Sequence, residues 1–404
     1  MVPSKINAGH NNSQLTRVSG AMDQRLQQLR QWVALQLGGK SLNITPVSGD
    51  ASFRRYFRVE QLPESEQKEL KTSAANKCWI AMDAPPEKED SLPFVAIAQH
   101  WEANGIQVPH IEAFDLTQGF MLLRDFGDTL LLNALFAPLS TAGSNAAIDI
   151  ETYLAGDPIA AKTLYQSALT TLAQIQACPP PADYALPPYD KALLAREMEL
   201  FREWLVSKKL GLTLTQNEQA LLDQTFGVLI DEALSQPTTC VHRDYHSRNL
   251  MELSDQSIGV LDFQDAVTGP ITYDAVSLLR DCYIVLPDHF VEERLQAFYQ
   301  ATRKAGLHTA DFTQFTRWFD LMGIQRHLKA AGIFARLSLR DGKHDYLNDV
   351  PRTVNYINKI SAKYDQLADF NHWLTSTVIP AINSSLLPVS SVTAQSASSA
   401  QQSL

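Results

Sequence analysis

The chain has 404 residues, of which 45% are hydrophobic and 19% are charged, and its formal net charge is −10. This size allows a large core in two domains or in one bilobal domain, and the acidic balance argues against a nucleic-acid partner. No apolar run reaches the roughly 18 residues that cross a bilayer, and the polar N-terminus lacks the apolar segment of a secretory signal. The four dispersed cysteines indicate a reducing compartment, so we predict a cytoplasmic protein without a membrane segment.

The first third of the chain is predicted to be rich in strands. Residues 1–20 are polar and are expected to be disordered. A helix is expected over 22–38, where Gly38 and Gly39 stop it. Alternating apolar residues and turn residues predict the following elements: a strand over 54–60, a strand over 78–82 that ends before two prolines, a helix over 94–105, and strands over 106–115 and 119–127.

Helical patterns dominate after Leu130. Residues 137–151 are small and polar and are predicted to form an exposed loop or insertion. The tail from residue 384 is rich in Ser, Gln and Ala and is predicted to be disordered. The predicted organisation is a disordered N-terminus (1–20), an N-lobe that binds nucleotide (21–127), a catalytic and substrate-binding C-lobe (128–383) and a disordered tail (384–404).

Two polar motifs carry the chemistry, HRDYHSRN at 242–249 and LDFQD at 261–265. Between them two short apolar strands flank the turn SDQS, which predicts a β-hairpin. Antiparallel pairing then places Asn249 beside Asp262, with Asp244 just before them. Such hard oxygen ligands suit a Mg²⁺ ion that bridges nucleotide phosphates. A carboxylate held off the metal can accept a proton from an attacking hydroxyl.

The motif pair H-R-D-x-x-x-x-N and D-F resembles the protein-kinase-like superfamily, and within it the aminoglycoside phosphotransferase family. The longer strings SGDASFRRYFRV, CVHRDYHSRNLM, GVLDFQDAVTGPITYDAVSLLRDCY and QRHLKAAGIFARLSLRDGKHDYL resemble the anomeric N-acetylmuramate/N-acetylglucosamine kinases of bacterial cell-wall recycling. This resemblance covers roughly residues 28–355. It implies an α+β bilobal kinase-like fold, with a small antiparallel-sheet N-lobe and a mostly helical C-lobe, and MgATP-dependent phosphorylation of a sugar hydroxyl.

The resemblance also assigns roles by position. Asp244 is the expected catalytic base, and Asn249 and Asp262 are the expected Mg²⁺ ligands. His242, Arg243 and Asp274 are expected to support the catalytic loop structurally. The backbone that binds adenine is expected at Leu122, Leu123 and Arg124.

The nucleotide-binding part departs from the kinase pattern. Met82 occupies the position of the lysine in V-A-I-K, and the SGDAS turn contains only Gly49. Backbone amides of residues 49–53, including Gly49 and Ser52, can still cradle phosphate, with Arg54 or Arg55 as the missing positive charge.

Strand alternation separates the two arginines. Arg55 shares its face with Phe53, Phe57 and Val59, which is predicted to be the packed face. Arg54 is therefore the better candidate for a phosphate contact. The alternative is that both arginines are surface residues paired with acidic neighbours.

Other residues keep two interpretations. Asp265 is either a second metal ligand or a turn residue. His246 and Arg248 either contact the substrate or face solvent, and Arg280 is a further substrate candidate. Four basic residues have helical spacing and form either a solvated face or a contact to a substrate carboxylate: Arg326, Lys329, Arg336 and Arg340.

Asp262 is followed closely by Gly269-Pro270, which leaves no room for a long activation segment, and no A-P-E is present. These features argue against a peptide substrate, and the resemblance implies a small-molecule sugar as the partner. Two alternatives stay open: a kinase for another alcohol such as an aminoglycoside, choline or homoserine, and a nucleotide-binding pseudokinase, which Met82 motivates. The sequence leaves the oligomeric state open.

Overall fold

The computed structural model describes residues 12–47, 53–62, 78–141, 150–156 and 158–386. The chain divides into two compact units: unit 1 is Met1–Pro187 with Cys240–Thr268, and unit 2 is Pro188–Thr239 with Gly269–Leu404. The predicted lobe boundary at residue 127 falls within unit 1, and the division into lobes stays a prediction. The predicted phosphate-binding residues Gly49 and Ser52 lie outside the described residues, as do residues 1–11 and 387–404 at the two ends.

Among the described residues of unit 1, five antiparallel strands form a sheet in the order β1-β2-β3-β5-β4. Their bounds are β1 (Leu42–Pro46), β2 (Arg55–Gln61), β3 (Cys78–Asp83), β4 (Ile111–Asp115) and β5 (Phe120–Arg124). The four predicted strands are confirmed within a few residues. The sequence analysis missed β1, because its apolar alternation is limited to Leu42 and Ile44. Its terminal Pro46 is tolerated because β1 is an edge strand.

Helix α1 (Asn12–Gln36) packs on one face of this sheet. It begins earlier than the predicted start at residue 22, so residues 12–20, which were expected to be disordered, belong to this helix. Leu15, Val18 and Met22 continue the helical spacing and account for the longer helix. The core between α1 and the sheet consists of Leu29, Trp32, Val33, Ile44, Phe57, Val59, Trp79, Ala81, Phe120 and Leu122. Phe53, expected on the same packed face, precedes β2 and is 64% exposed.

A buried carboxylate fastens α1 to the sheet. Asp83, at the end of β3, is fully buried. Its Oδ1 accepts a hydrogen bond from Nε of Arg25 on α1 at 3.0 Å, and its Oδ2 accepts one from Nε of Arg55 on β2 at 3.0 Å. Each guanidinium also pairs with the carboxylate through Nη2. Each guanidinium thus donates two N–H groups to one carboxylate oxygen, so both oxygens are satisfied and the desolvation of the charge is compensated.

The remaining described elements of unit 1 surround the two motifs of the sequence. They are α2 (Leu92–Ala103), α3 (Leu131–Thr141), α4 (Ile150–Ala155), α5 (Ile159–Ala177), β7 (Leu250–Glu252) and β8 (Ile258–Val260). Two further strands, β6 (Thr238–Val241) and β9 (Val267–Pro270), cross the division of the chain into units. Residues 137–141 end α3 and residues 150–151 begin α4, so these parts of the predicted loop at 137–151 are helical. Leu131 and Leu135, four residues apart on α3, are both buried. Residues 142–149 lie outside the described residues.

Unit 2 is helical around one long central helix. Its described elements are α6 (Lys191–Leu200), the π-helix Phe201–Lys209, α7 (Gln216–Leu234), α8 (Tyr273–Leu279), α9 (Asp288–Lys304), α10 (Phe312–Asp341), the 3₁₀ helix His344–Asp349, α11 (Val350–Ser361), the 3₁₀ helix Asp365–Leu367, α12 (Ala368–Trp373), the π-helix Leu374–Val378 and α13 (Ile379–Ser385). Helix α10 starts at an Asp311 cap and ends at Gly342 in the left-handed conformation. Within the described part of the chain, none of the helices is both apolar enough and long enough to cross a membrane.

Replacing Asp83 tests the ion-pair junction between α1 and the sheet. We expect Asp83→Asn to lower the free energy of unfolding by about 2 to 4 kcal/mol, because two arginines lose a buried counter-charge while remaining a quarter exposed to solvent. Urea unfolding measures the loss. Glu112→Gln on β4, an exposed acid of the same sheet, is the matched control and should change stability by less than about 0.5 kcal/mol. Equal stability of the two variants would contradict the role of Asp83.

Candidate active site

The two polar motifs meet at the open end of the β7–β8 hairpin. The strands pair antiparallel with Leu250 opposite Val260 and Glu252 opposite Ile258. One step further along the ladder, the N–H of Leu261 donates to the carbonyl of Asn249 at 2.9 Å. The predicted hairpin is therefore present, and its register puts Asn249 beside the residue that precedes Asp262.

His242 joins the two motifs. The ring is fully buried, its Nε2 donates to the carbonyl of Leu261 at 2.8 Å, and its Nδ1 accepts from the N–H of Asp244 at 3.2 Å. These two bonds require the neutral tautomer with the proton on Nε2. The structural role of His242 stays a prediction.

The backbone takes unusual conformations on both sides of this histidine. Arg243 has φ of 76° and Asp262 has φ of 59°, values that are disfavoured for residues with a side chain. Nη1 of Arg243 donates to the carbonyl of Asp265 at 3.4 Å, a long bond that reaches from one motif to the other. Left-handed residues cluster at functional sites, where the surrounding contacts hold them in place.

Asp244, Asn249 and Asp262 come together as the sequence analysis predicted. Nδ2 of Asn249 donates to the backbone carbonyl of Asp244 at 3.0 Å and lies 3.5 Å from Oδ2 of Asp262. Because the amide nitrogen of Asn249 is bonded to the carbonyl of Asp244, its amide oxygen is the atom that a cation would use. Gln264 was not predicted; its Nε2 donates to Oδ1 of Asp262 at 2.7 Å and orients that carboxylate. All three predicted side chains are partly exposed.

Aromatic rings link helix α2 to these motifs. Phe263, directly after Asp262, lies 4.8 Å from Phe94 and 5.5 Å from Trp101, measured between ring centroids. Trp101 lies 6.2 Å from His242, which in turn lies 5.7 Å from Tyr245. The buried side of α2 and the site therefore form one packed cluster.

The segment that leaves the sheet after β5 is fastened to the hairpin. A Cβ on Gly259 of β8 would meet two ring carbons of Phe126 at 2.7 Å, so the ring occupies the space that the glycine leaves. Leu130 forms an isolated antiparallel bridge with Met251 of β7. Arg58 of β2 binds Asp125 and Asp128, both at 2.7 Å, and its hydrogen bond holds the pKa of the Asp128 carboxyl below the usual value.

The residues predicted to bind adenine are part of β5. Leu122 and Leu123 are buried, and Arg124 is exposed at the end of the strand. Leu122 has register partners on both sides, Ala81 of β3 and Ala113 of β4. Asp125 is the first residue beyond β5. The assignment of Leu122 to Arg124 to adenine binding stays a prediction.

The candidate phosphate-binding arginines both contact carboxylates. Arg54 pairs with Glu89 at 3.0 Å, and Arg55 pairs with Asp83. Arg54 directly precedes β2 and Arg55 is its first residue, and their separation onto opposite faces stays a prediction from strand alternation. Glu89 was missed by the sequence analysis because it lies in a loop and finds its partner only in three dimensions.

The other predicted site residues differ in their surroundings. His246 is partly exposed, and Arg248 and Asp265 are exposed. In unit 2, Asp274 is fully buried on α8, and its role in supporting the catalytic loop stays a prediction. Within the described residues no group of three or more His, Cys, Asp or Glu side chains could hold a metal, so a metal here would rely on the pair Asn249 and Asp262.

The basic stripe on α10 is not a solvated face along its whole length. Arg326 and Lys329 are 5% and 8% exposed. Arg326 binds Ser277 and lies 3.4 Å from the Cys282 thiol, while Lys329 binds Glu197 at 3.2 Å. Two other stripe residues are more accessible: Arg336 is partly exposed and Arg340 is exposed.

Arg280, the further substrate candidate, pairs with Asp320 and stacks on Phe319, with its guanidinium 4.3 Å from the ring centroid. Arg280 and Arg326 are therefore both engaged in buried contacts. Their assignment to substrate binding stays a prediction.

Comparison with known proteins identifies relatives of high similarity. The model of the phosphotransferase enzyme family matches residues 43–308. The N-acetylmuramate/N-acetylglucosamine kinase of Pseudomonas putida is 41% identical over 86% of this chain and 95% of its own length. The enzyme of the same name from Neisseria meningitidis is 38% identical over 85% of this chain and 93% of its own length.

Solved structures share the fold at low sequence identity. An ethanolamine kinase from Plasmodium vivax has a TM-score of 0.55 at 12% identity and covers 80% of this chain and 85% of its own. A choline kinase from Streptococcus pneumoniae has a TM-score of 0.51 at 12% identity, covering 83% and 100%. Together with the family match, these similarities confirm the predicted α+β kinase-like fold and the resemblance stated from the motifs.

Proposed function

The chain belongs to the phosphotransferase enzyme family, and from this premise we propose that it is an ATP-dependent sugar kinase. The proposed acceptor is the anomeric hydroxyl of N-acetylmuramate or N-acetylglucosamine, and the proposed setting is the recycling of cell-wall amino sugars in the cytoplasm. One observation carries the proposal. The chain that gathers Asp244, Asn249 and Asp262 at one hairpin is 41% identical, over 358 residues, to a kinase named for these two sugars.

Asp244 is suited to accept the proton of the sugar hydroxyl. Its carboxylate is partly exposed, and its backbone is fixed by the bonds to His242 and Asn249. In the proposed reaction the hydroxyl oxygen forms a bond to the γ-phosphorus, its proton passes to Asp244, and the bond from that phosphorus to the β–γ bridging oxygen breaks. The products are a sugar 1-phosphate and ADP. A positioned carboxylate is effective in this role because it removes the proton as the new bond forms.

Asn249 and Asp262 fit a Mg²⁺ site. They offer one amide oxygen and one carboxylate within a short distance, and Mg²⁺ is commonly held by one or two protein groups together with phosphates and water. When bound, the ion would neutralise charge on the phosphates. Gln264 would keep the Asp262 carboxylate turned toward this position.

One steady-state assay distinguishes the proposed sugar kinase from a kinase for another alcohol and from a pseudokinase. ADP release is measured with MgATP and N-acetylmuramate, N-acetylglucosamine, choline, ethanolamine, homoserine and kanamycin as acceptors, and ³¹P NMR locates the phosphate on the product. We expect turnover with one or both amino sugars and an anomeric phosphate. Preferred turnover of an amino alcohol or aminoglycoside contradicts the proposed acceptor, and binding of MgATP without turnover of any acceptor indicates a pseudokinase.

The role of Asp244 predicts a selective loss. We expect Asp244→Asn to lower kcat by about 10² to 10⁴, the usual contribution of a positioned base, while the Kd for MgATP changes little. Rapid-quench or coupled assays measure kcat, and calorimetry measures nucleotide binding. A variant that turns over at the wild-type rate would show that Asp244 is not the base.

The role of Asp262 as a metal ligand predicts weaker binding of Mg²⁺ when its charge is removed. Asn is the suitable replacement, because it tolerates the left-handed backbone of this residue and removes only the charge. We expect Asp262→Asn to raise the Mg²⁺ concentration for half-maximal activity at fixed ATP by at least about tenfold, since a carboxylate is a better ligand for Mg²⁺ than an amide. Asp265→Asn, at an exposed acid three residues on, is the comparison. If the two variants have equal Mg²⁺ dependence, Asp262 is not a selective ligand.

A further inference from the structure

Met82 occupies the position at which the V-A-I-K motif has a lysine, so one face of the sheet lacks that lysine. Its side chain is fully buried on β3 and pairs across the strands with Tyr56. Paired residues of antiparallel strands share a face, and residues alternate along each strand. Arg54, two residues before Tyr56, therefore belongs to the face that carries Met82. Arg55 belongs to the opposite face, where it contacts Asp83 under α1.

Glu89 holds Arg54 and the chain next to it at the same time. Its Oε2 lies 3.0 Å from Nη2 of Arg54, and its Oε1 accepts a hydrogen bond from the backbone N–H of Phe53 at 3.1 Å. The arginine and glutamate side chains are only 9% and 14% exposed. An ion pair this far removed from water is screened less than a surface pair and fixes the guanidinium in one orientation.

The loop that carries Glu89 is fixed at several points. The carbonyl of Pro85 accepts hydrogen bonds from the N–H groups of Lys88 and Glu89 at 2.8 and 2.9 Å. At the start of the loop, the N–H of Ala84 donates to the carbonyl of Gly119 at 2.8 Å. That approach requires glycine, because a Cβ on Gly119 would lie 1.9 Å from the Ala84 oxygen. Glu89 is therefore a preorganised contact.

The carboxylate on helix α2 does not serve the same purpose. Glu102 contacts Nδ1 of His110 at 2.8 Å, and both side chains are about two-fifths exposed. In protein kinases the lysine of β3 pairs with a glutamate of the corresponding helix. Here a buried arginine–glutamate pair lies on the Met82 face, whereas the helix glutamate binds a histidine.

We propose that Arg54 contacts the nucleotide phosphates and that Glu89 is the positioning residue that orients Arg54. This inference rests on the proposed ATP-dependent function. It assigns to two residues outside V-A-I-K the task of the missing lysine–glutamate pair, and it gives the loop between β3 and α2 a part in nucleotide binding.

The test compares Glu89→Gln with Glu87→Gln, an exposed acid two residues earlier in the same loop. We expect Glu89→Gln to raise both the KM and the calorimetric Kd for MgATP by about three- to tenfold, the effect of roughly one kcal/mol of lost binding, with kcat and the sugar KM little changed. Glu87→Gln should match the wild type. Thermal unfolding of both variants checks that folding is intact.

A double-mutant cycle with Arg54→Ala separates positioning from simple structure. If Glu89 acts through Arg54, adding Glu89→Gln to Arg54→Ala should raise the Kd for MgATP by less than about twofold. A full, additive effect in that background, an unchanged Kd in Glu89→Gln, or tighter MgATP binding in Glu89→Gln each overturns the inference. Because Kd is measured without an acceptor, the inference is judged even if no sugar is phosphorylated. That result would overturn only the proposed acceptor.

Discussion

The geometry of the site depends on one buried imidazole. His242 connects the N–H of Asp244 to the carbonyl of Leu261, and these two residues belong to segments separated by the whole hairpin. The distance between the proposed base and the proposed metal ligand Asp262 is therefore set by a ring that touches neither reactant. Both bonds use the neutral ring with its proton on Nε2. The left-handed backbone at Arg243 and Asp262 is held in place by this connection.

The aromatic rings packed around His242 connect the site to helix α2 of unit 1. Phe263 lies between Phe94 and Trp101 of α2, so the residue next to Asp262 is part of the α2 core. On the far side, the hydroxyl of Tyr245 donates to the carbonyl of Ala168 on α5 at 2.7 Å. The catalytic segment is thus supported by ring contacts to α2 and by a hydrogen bond to α5. Such support permits polar groups to remain accessible on the third side at little cost in stability.

The sequence predicted the parts that depend on local periodicity and on short-range pairing. The hairpin is an example, since the turn SDQS and two apolar runs define both its strands and the adjacency of Asn249 and Asp262. Strand β1 was missed because five residues that include Pro46 give too little periodicity. Arg326 and Lys329 were equally open to a solvated interpretation, because nothing in their own helix reveals that α10 is surrounded. Their partners Ser277 and Glu197 lie on other helices.

The same limit applies to the nucleotide side of unit 1. The alternation of Arg54 and Arg55 was predictable from the sequence. Their acidic partners Glu89 and Asp83 were not, because these contacts form only when the loop and α1 fold against the sheet. Met82 is the only local sign that another cation is needed. Long-range ion pairs have no periodic signature, which is why sequence analysis finds one partner of a pair more easily than both.

Asp83 has a consequence for the way related chains can diverge. One carboxylate serves two guanidinium groups from separate elements, Arg25 of α1 and Arg55 of β2. Loss of the acid leaves two cations facing each other, whereas loss of one arginine leaves the acid half satisfied. The three positions are therefore expected to covary through evolution as a triplet, retained together or replaced together by apolar residues.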